Sequence, residues 1–207
     1  MLKKKIKGLT LIELLMAVAI VAILSAGLYM VGSRVETQAK IKQTQSTIEI
    51  LSAALEQYYD ANSNCFPFTA VNNFKRTDLQ SQLQSILGST LTVSVSTGVP
   101  ADYNDHYASD DTLYYYLNRI PASKKIIGTI NSSLITDKDC RKREYFYYFT
   151  AVPTTHYPLL HFVDAWNSPF RYTYSSGDNF PVIESAGPDK DFGDTIPAKK
   201  DDNITSR

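Results

Sequence analysis

The sequence contains little cysteine, little histidine and no excess of either charge. Two of its 207 residues are Cys and three are His, and Cys65 and Cys140 stand far from each other and from any Cys/His ligand pattern, so no zinc site is predicted. Lys and Arg number 21 and so do Asp and Glu, which gives no reason to expect nucleic acid as a partner. With 43% hydrophobic residues, the chain is not wholly disordered.

Recognisable catalytic motifs are also missing. The sequence has no Gly-x-Ser-x-Gly, no His-Glu-x-x-His and no phosphate-binding loop, so we do not expect an enzyme. His156 and His161 could join Asp164 in a metal cluster, but surface or loop histidines are the interpretation that this Pro-containing segment favours. Asp110 and Asp111 are predicted to form a turn that precedes a strand.

The N-terminal third has an uneven distribution of charge. Lys3, Lys4, Lys5 and Lys7 stand at the front, and residues 9–33 are a mostly apolar stretch of 25 residues whose only ionisable side chains are Glu13 and the phenol of Tyr29. About 20 such residues suffice to cross a bilayer as a helix, and the lysines predict that the N-terminus stays on the cytoplasmic side. A carboxylate in hydrocarbon costs roughly 2.5–3.5 kcal/mol, so Glu13 is predicted to have a function and a partner.

The segment Lys-Gly-Leu-Thr-Leu-Ile-Glu-Leu-Leu, at 7–15, with the apolar run that follows it, resembles the class III leader of type IV prepilins and pseudopilins. The resemblance implies cleavage between Gly8 and Leu9 by a prepilin peptidase and N-methylation of Leu9. It also implies that Thr10 and Glu13 serve assembly, with Glu13 facing the terminal amine of a neighbouring subunit. Leu9 stands where the family usually has Phe, and Met30 where many members have Pro. A plain membrane anchor, or a signal peptide cut near Ser25, is the alternative.

The helical pattern continues beyond the apolar run. Residues 34–60 contain neither Gly nor Pro, and their apolar residues fall on one helical stripe made of Ile41, Ile48, Leu51, Leu55 and Tyr58. Asn62-Ser63-Asn64 is predicted to end the helix.

The rest of the chain alternates between short strand-like and helical patterns. A helix is predicted over 75–88, ending at Gly88, and strands over 90–97, 112–120 and 144–152. A hairpin is predicted from 170–174 to 182–183. We therefore expect an α+β fold of pilin type, with one long N-terminal helix packed on a mostly antiparallel sheet. The many Tyr and Phe side chains of the strands are expected in the core and on the sheet surface rather than in a carbohydrate-binding platform.

Two C-terminal stretches resemble major pseudopilins of type II secretion. Asp-Ala-Trp-Asn-Ser-Pro-Phe-Arg-Tyr, at 164–172, is similar to the family's Asp-x-Trp-Gly-x-Pro element, with Asn167 in place of Gly; Asn also tolerates a left-handed backbone. Ser-Ala-Gly-Pro-Asp-Lys-Asp-Phe-Gly, at 185–193, followed by Asp-Asp-Asn-Ile at 201–204, is similar to the family's calcium loop. The resemblance implies Ca²⁺ ligands from the side chains of Asp189, Asp201 and Asp202 and the carbonyls of Ala186 and Asp191.

The residues support calcium without the resemblance, although they leave an alternative open. Five carboxylates fall within 14 residues, and Ca²⁺ prefers six to eight oxygens of this kind; Asp191 and Asp194 could also ligate through their side chains. The alternative is a solvated acidic tail, which the nearby lysines favour.

The two cysteines are predicted to form a disulfide, because both follow the membrane helix into a compartment that permits oxidation. Two buried thiols are the alternative.

Together these patterns predict four segments: a leader at 1–8, a membrane and assembly helix at 9–33, an amphipathic continuation at 34–61 and an extracytoplasmic head at 62–207. The predicted function is that of a pseudopilus subunit of type II secretion, stored in the inner membrane and polymerised with copies of itself by the secretion or pilus machinery. A type IV pilin is the alternative within the family. An anchored binding or adhesion protein, with 66–163 as its recognition part, is the alternative outside it.

Overall fold

The computed structural model describes residues 11–70, 76–95, 108–138, 144–193 and 200–206. The chain divides into two units, Met1–Lys40 and Ile41–Arg207. Helix α1, Leu11–Ala61, is the longest element at 51 residues. It ends where Ser63 and Asn64 take left-handed φ values of 55° and 59° and the N–H of Asn64 donates to the carbonyl of Tyr59 at 3.0 Å. Asn is among the residues that best tolerate this conformation at a helix end.

Among the described residues, the second unit combines the C-terminal part of α1 with three further helices and eight strands. The helices are α2 (Arg76–Leu87), α3 (Ala108–Arg119) and α4 (Pro121–Ile127), and a 3₁₀ turn follows at Ser132–Leu134. The strands are β1 (Leu91–Val95), β2 (Ile135–Thr136), β3 (Tyr145–Phe149), β4 (Tyr157–Pro158), β5 (His161–Phe162), β6 (Arg171–Thr173), β7 (Val182–Ser185) and β8 (Ile204–Thr205).

All strand pairs among the described residues are antiparallel. They form three small sheets with the orders β1-β3-β4, β2-β5 and β6-β7-β8. The predicted hairpin is present as β6-β7, in which Tyr172 lies opposite Ile183, and Asp178 caps its turn by accepting from the N–H of Ser175 at 3.0 Å. The α+β class predicted from the sequence is confirmed.

The core lies between α1 and the helices and sheets of the second unit. Within α1, the large buried side chains are those of the predicted stripe, with Ile48, Leu51, Leu55 and Tyr58 at most 5% exposed and Ile41 half-buried. Thr44, Thr47 and Ala54 are buried beside them. Leu79 and Leu83 of α2, with Leu113 and Leu117 of α3, complete this apolar layer. Each fully buried Leu stabilises the folded state by about 1.5–3 kcal/mol relative to an exposed one, so this packing holds the three helices together.

The strand predicted at 112–120 is wrong, because Ala108–Arg119 forms helix α3. Leu113 and Leu117 are four residues apart and both are fully buried, which is helical spacing. The run Tyr114-Tyr115-Tyr116 suggests a strand because aromatic residues are enriched in sheets, but that preference is weak against burial. The turn predicted at Asp110–Asp111 is likewise wrong, since both residues lie in the first turn of α3.

Candidate functional site

The start of α1 presents an apolar surface. Every residue from 11 to 25 is exposed, and the ten large hydrophobic side chains of this stretch are 57–80% exposed: Leu11, Ile12, Leu14, Leu15, Met16, Val18, Ile20, Val21, Ile23 and Leu24. Glu13 is exposed within the same stretch. Exposed apolar patches of such extent mark sites of contact with a partner or a membrane.

Among the residues that the structure describes, no helix is long and apolar enough to span a bilayer.

The predicted processing residues Gly8, Leu9 and Thr10 lie outside the described residues, so their roles stay predictions. Farther along α1, Glu36 pairs with Lys40 at 2.8 Å, one helical turn on. The Glu36 carboxylate is exposed, and its hydrogen bond to Lys40 lowers its pKa; such surface pairs contribute little to stability.

The second candidate site is built on a turn at 164–168. Oδ1 of the buried Asp164 accepts the backbone N–H groups of Trp166 at 2.8 Å and Ser168 at 2.9 Å. The turn closes when the N–H of Asp164 donates to the carbonyl of Ser168 at 2.9 Å. Asn167 has a φ of 59°, the left-handed conformation expected for the position where the resembling family has Gly. The turn is therefore set by Asp164 and permitted by Asn167.

Helix α1 also holds this turn. The N–H of Ala165 donates to Oγ1 of Thr44 at 3.2 Å, and Thr44 is fully buried. Sequence reasoning missed Thr44, because the apolar stripe directs attention to the large hydrophobic residues. A Thr on the buried side of the stripe, where it needs a hydrogen-bond partner, is the signal that could have found it.

The Asp164 turn is joined to the second C-terminal stretch. The hydroxyl of Ser185 donates to Oδ2 of Asp164 at 2.6 Å and accepts from the N–H of Gly187 at 3.1 Å. Burial raises the pKa of the Asp164 carboxyl, while these hydrogen bonds from Ser185, Ser168 and Trp166 lower it. The donors therefore supply the carboxylate with partners that water would otherwise provide.

Gly187 is the point where the two arms of the predicted calcium loop meet. Its φ is +66°, and a Cβ atom at this position would overlap the carbonyl oxygen of Asp202. The N–H of Asp189 also points to Oδ2 of Asp202, at 3.4 Å. Only Gly allows this approach, so the sequence places Asp202 beside residues 187–189.

The remaining acidic side chains of the loop cap backbone N–H groups. Oδ1 of Asp189 accepts from the N–H of Asp191 at 2.8 Å, and Oδ1 of Asp191 accepts from the N–H of Gly193 at 2.9 Å. Asp189 and Asp201 are exposed, Asp191 and Asp202 are half-buried, and Ala186 is fully buried. In the described part of the chain, no three His, Cys, Asp or Glu side chains are grouped to hold a metal ion; Asp194 and 195–199 lie outside it.

The oxygen-rich donor set suits Ca²⁺ in kind, and Gly187 brings both arms together. The three-carboxylate cluster, however, is not found among the described residues, so the ligand assignment stays a prediction.

Cys65 is exposed and has no disulfide partner among the described residues, and its Sγ lies 3.7 Å from the carbonyl oxygen of Ser63. Its predicted partner, Cys140, lies outside those residues, so the bridge stays a prediction.

The metal cluster weighed for His156, His161 and Asp164 is not formed. His156 is exposed and stacks on Phe146 with ring centroids 4.3 Å apart, whereas Asp164 faces Ser185. The interpretation of His161 as a surface residue is wrong, because it is 2% exposed and its Nδ1 lies 3.0 Å from Oδ1 of Asp111. Sequence reasoning missed this pair because it assigned Asp111 to a turn instead of a helix.

Comparison with known proteins adds one finding at the N-terminus. Residues 3–29 match the family model of the prokaryotic N-terminal methylation motif. No curated protein and no solved structure matches the chain. The match covers the leader and the exposed apolar part of α1, and it supports a type IV pilin-like chain, of the group that includes pilins and pseudopilins.

Proposed function

We propose that the chain is a structural subunit of a type II secretion pseudopilus, which polymerises through its N-terminal helix to drive protein export. The observation that carries the proposal is the exposed apolar surface of residues 11–25 with one carboxylate, Glu13, in it, which lies within the matched methylation motif at 3–29. Such an apolar surface is unfavourable in water, and packing against the same helix of identical copies would bury it.

The charges favour two successive environments for this helix. The four lysines before Gly8 hold the precursor in the inner membrane with its N-terminus in the cytoplasm and its head outside. Cleavage after Gly8 removes them and creates a cationic amine at Leu9. In a staggered bundle, this amine neutralises Glu13 of a neighbouring copy. Assembly therefore reduces the free-energy cost of placing a carboxylate in an apolar environment. Removal and methylation require a prepilin peptidase.

The C-terminal site supports a pseudopilin over other members of the group. The Asp164 turn, the left-handed Asn167 and the close contact of Gly187 with Asp202 favour the major-pseudopilin element that the sequence resembles. We propose that this loop binds Ca²⁺ through Asp189, Asp201 and Asp202, with the carbonyls of Ala186 and Asp191. The ion would hold the two arms together by charge where the protein alone holds them by backbone contacts.

In this function the chain catalyses nothing itself. It works by being added to and withdrawn from a filament by the inner-membrane assembly machinery, and its head supports export through contacts with other copies.

The proposal is tested by producing the full chain in bacteria with and without a prepilin peptidase. With the peptidase, intact mass should give a chain that begins at a methylated Leu9, and cross-linking in cells should give ladders of multimers. Without it, the chain should keep residues 1–8 and stay monomeric. A mature chain that begins at Met1 or near Leu28 in the presence of the peptidase would contradict the proposal.

Complementation separates the alternatives. In a strain whose secretion system lacks its major pseudopilin, restored export supports the pseudopilus. Surface filaments without restored export would favour a pilin, and a processed but strictly monomeric chain would favour an anchored binding protein.

A further inference from the structure

The head contains a group of ionisable side chains that the assembly function does not use. Asp110 and Asp111 of α3 and His161 of β5 are at most 2% exposed. Burial of an isolated charge is costly unless it is paired or neutralised. The three side chains lie between α3 and β5, so the stability of the head depends on which of them carry a charge.

One pair within this group is in contact. Nδ1 of His161 lies 3.0 Å from Oδ1 of Asp111, so the imidazole lies against the carboxylate within ion-pair distance. The ring of Tyr145 from β3 stands edge-on to the imidazole, with centroids 6.5 Å apart. This contact encloses the pair on the side of β3.

The carboxyl group of Asp110 has no comparable partner among the described residues. Neither of its carboxyl oxygens has a hydrogen-bond partner among the described residues. Burial raises the pKa of Asp110 well above its usual value, and the charge of Asp111 raises it further. The backbone N–H groups of Phe162 and Phe170 oppose this increase, although neither reaches a carboxyl oxygen with hydrogen-bond geometry. The neutral acid is therefore the form that the folded head favours.

The described charged groups on the other elements packed against α3 are exposed or have partners other than Asp110. On α2 and α4, Asp78, Lys124 and Lys125 are exposed. On β6, Arg171 faces Glu184 at 3.5 Å and lies over the ring of Phe192 at 3.9 Å. Among the described side chains, Asp111 is thus the charged group that raises the pKa of Asp110.

We infer that Asp110, Asp111 and His161 form a proton-binding latch that holds the start of α3 against β5 and β6 and loosens as the pH rises. The start of α3 is tied to β6 by Ser109, whose hydroxyl accepts the backbone N–H of Tyr172 at 3.1 Å. A second carboxylate in this enclosed space would oppose the Asp111 charge without a cation to match it. Release of the Asp110 proton therefore weakens the docking of α3.

The sign of the effect follows from the two states of Asp110. In the unfolded chain its pKa is about 3.9, and in the folded head it is higher, so the folded state binds one more proton between the two values. Stability is then greatest near or below the unfolded pKa and is lost as the pH rises through the folded pKa. Within this window the unfolding equilibrium constant should increase about tenfold per pH unit.

The test uses the full chain in nonionic detergent and urea unfolding followed by the fluorescence of Trp166, the single Trp. Wild type and Asp110→Asn are compared from pH 4.5 to pH 8. The variant keeps the shape of the side chain but carries no charge, so the ratio of the two unfolding constants should change about tenfold per pH unit within the window. The matched control is Asp78→Asn, the same change in the exposed first turn of α2, which should leave the wild-type pH profile unchanged.

A constant ratio between wild type and Asp110→Asn across this pH range would overturn the latch. Infrared spectroscopy provides a second readout that does not depend on stability. At the acidic end of this pH range, the folded wild type should show the carbonyl stretch of a protonated carboxyl group, and Asp110→Asn should lack it. Absence of this band from the wild type would also overturn the inference, and neither result depends on filament assembly.

Discussion

The hydroxyl of Ser185 donates a 2.6 Å hydrogen bond to Oδ2 of the buried Asp164 carboxylate. Oδ1 of the same carboxylate accepts two backbone N–H groups from the turn that follows it. A single carboxylate thus joins the 164–168 turn to strand β7, which leads into the acidic loop. This contact also positions the start of the loop, because the Ser185 hydroxyl in turn accepts the N–H of Gly187.

Replacement of Ser185 by Ala should destabilise the head. The change removes the donor to Asp164 and the acceptor for the N–H of Gly187, both of which are buried. A buried polar group left without a partner costs about 1–3 kcal/mol. Urea unfolding followed by Trp166 fluorescence measures the loss. Ser206→Ala is the control, since the half-buried Ser206 hydroxyl accepts from the N–H of Ile183 and does not join Asp164 to Gly187. An equal loss of unfolding free energy in both variants would show that the contact with Asp164 stabilises no more than an ordinary hydrogen bond.

The left-handed Asn167 provides a test of backbone conformation alone. Because its side chain is exposed, substitution changes little except the preference for φ near 59°. Asn167→Gly should keep the melting temperature. Asn167→Val should lower it by roughly 2–8 °C, since a left-handed conformation costs about 1–2 kcal/mol for residues other than Gly. Equal melting of the Gly and Val variants would show that the turn is not formed as described.

Regular patterns made much of the fold predictable, and a family resemblance drew attention to Asn167, whereas local ambiguity hid the rest. The α1 stripe, β1, α2 and the β6-β7 hairpin each carry a periodicity or a turn signal several residues long. Strands β2, β4 and β5 have two residues each, too few for a periodicity. The sequence predicted a strand in place of helix α3, because three consecutive tyrosines favour a strand and the helical spacing of Leu113 and Leu117 is a shorter signal. That error concealed the buried Asp110, Asp111 and His161, since their proximity depends on tertiary packing between α3 and β5.

Loss of the Glu13 carboxylate should separate membrane insertion from assembly. Glu13→Ala removes a charge that costs roughly 2.5–3.5 kcal/mol in hydrocarbon, so membrane extraction should recover as much protein as for wild type, or more. Multimers in a cross-linking assay should decrease, because the amine of Leu9 loses its partner. Glu36→Ala is the control: it removes an exposed carboxylate of the same helix, paired with Lys40. A normal multimer yield from Glu13→Ala would refute the role of Glu13 in assembly.

The two cysteines should form a disulfide in the exported head. Without reductant, neither thiol should react with a labelling reagent, and Cys140→Ser should then label once, at the exposed Cys65. A bridge across a loop of this length stabilises by about 4 kcal/mol in the chain-entropy model, less any strain. Reduction should therefore lower the melting temperature of wild type but not that of Cys140→Ser. Labelling of both thiols without reductant would exclude the bridge.

Calcium should stabilise the head through the loop at 186–203. Melting of the full chain in detergent is compared with calcium and with a chelator. An ion that binds only the folded state, at a hundredfold excess over its dissociation constant, adds about 2.7 kcal/mol. For a chain of this size, that corresponds to a shift of roughly 5–10 °C. Magnesium should give a smaller shift, because it requires tight octahedral geometry and gives up its water reluctantly.

Three variants make the calcium test specific. Asp189→Asn keeps the acceptor for the N–H of Asp191 but removes the charge, so it should melt like wild type in chelator and lose the calcium shift. Gly187→Ala should lose the shift because its Cβ would displace the Asp202 carbonyl, which separates the two arms of the loop. Asp60→Ala, at an exposed position near the end of α1, should keep the full shift. Identical melting of wild type with calcium and with chelator would mean that the aspartates only cap backbone N–H groups, and the pseudopilus proposal would then depend on the N-terminal motif alone.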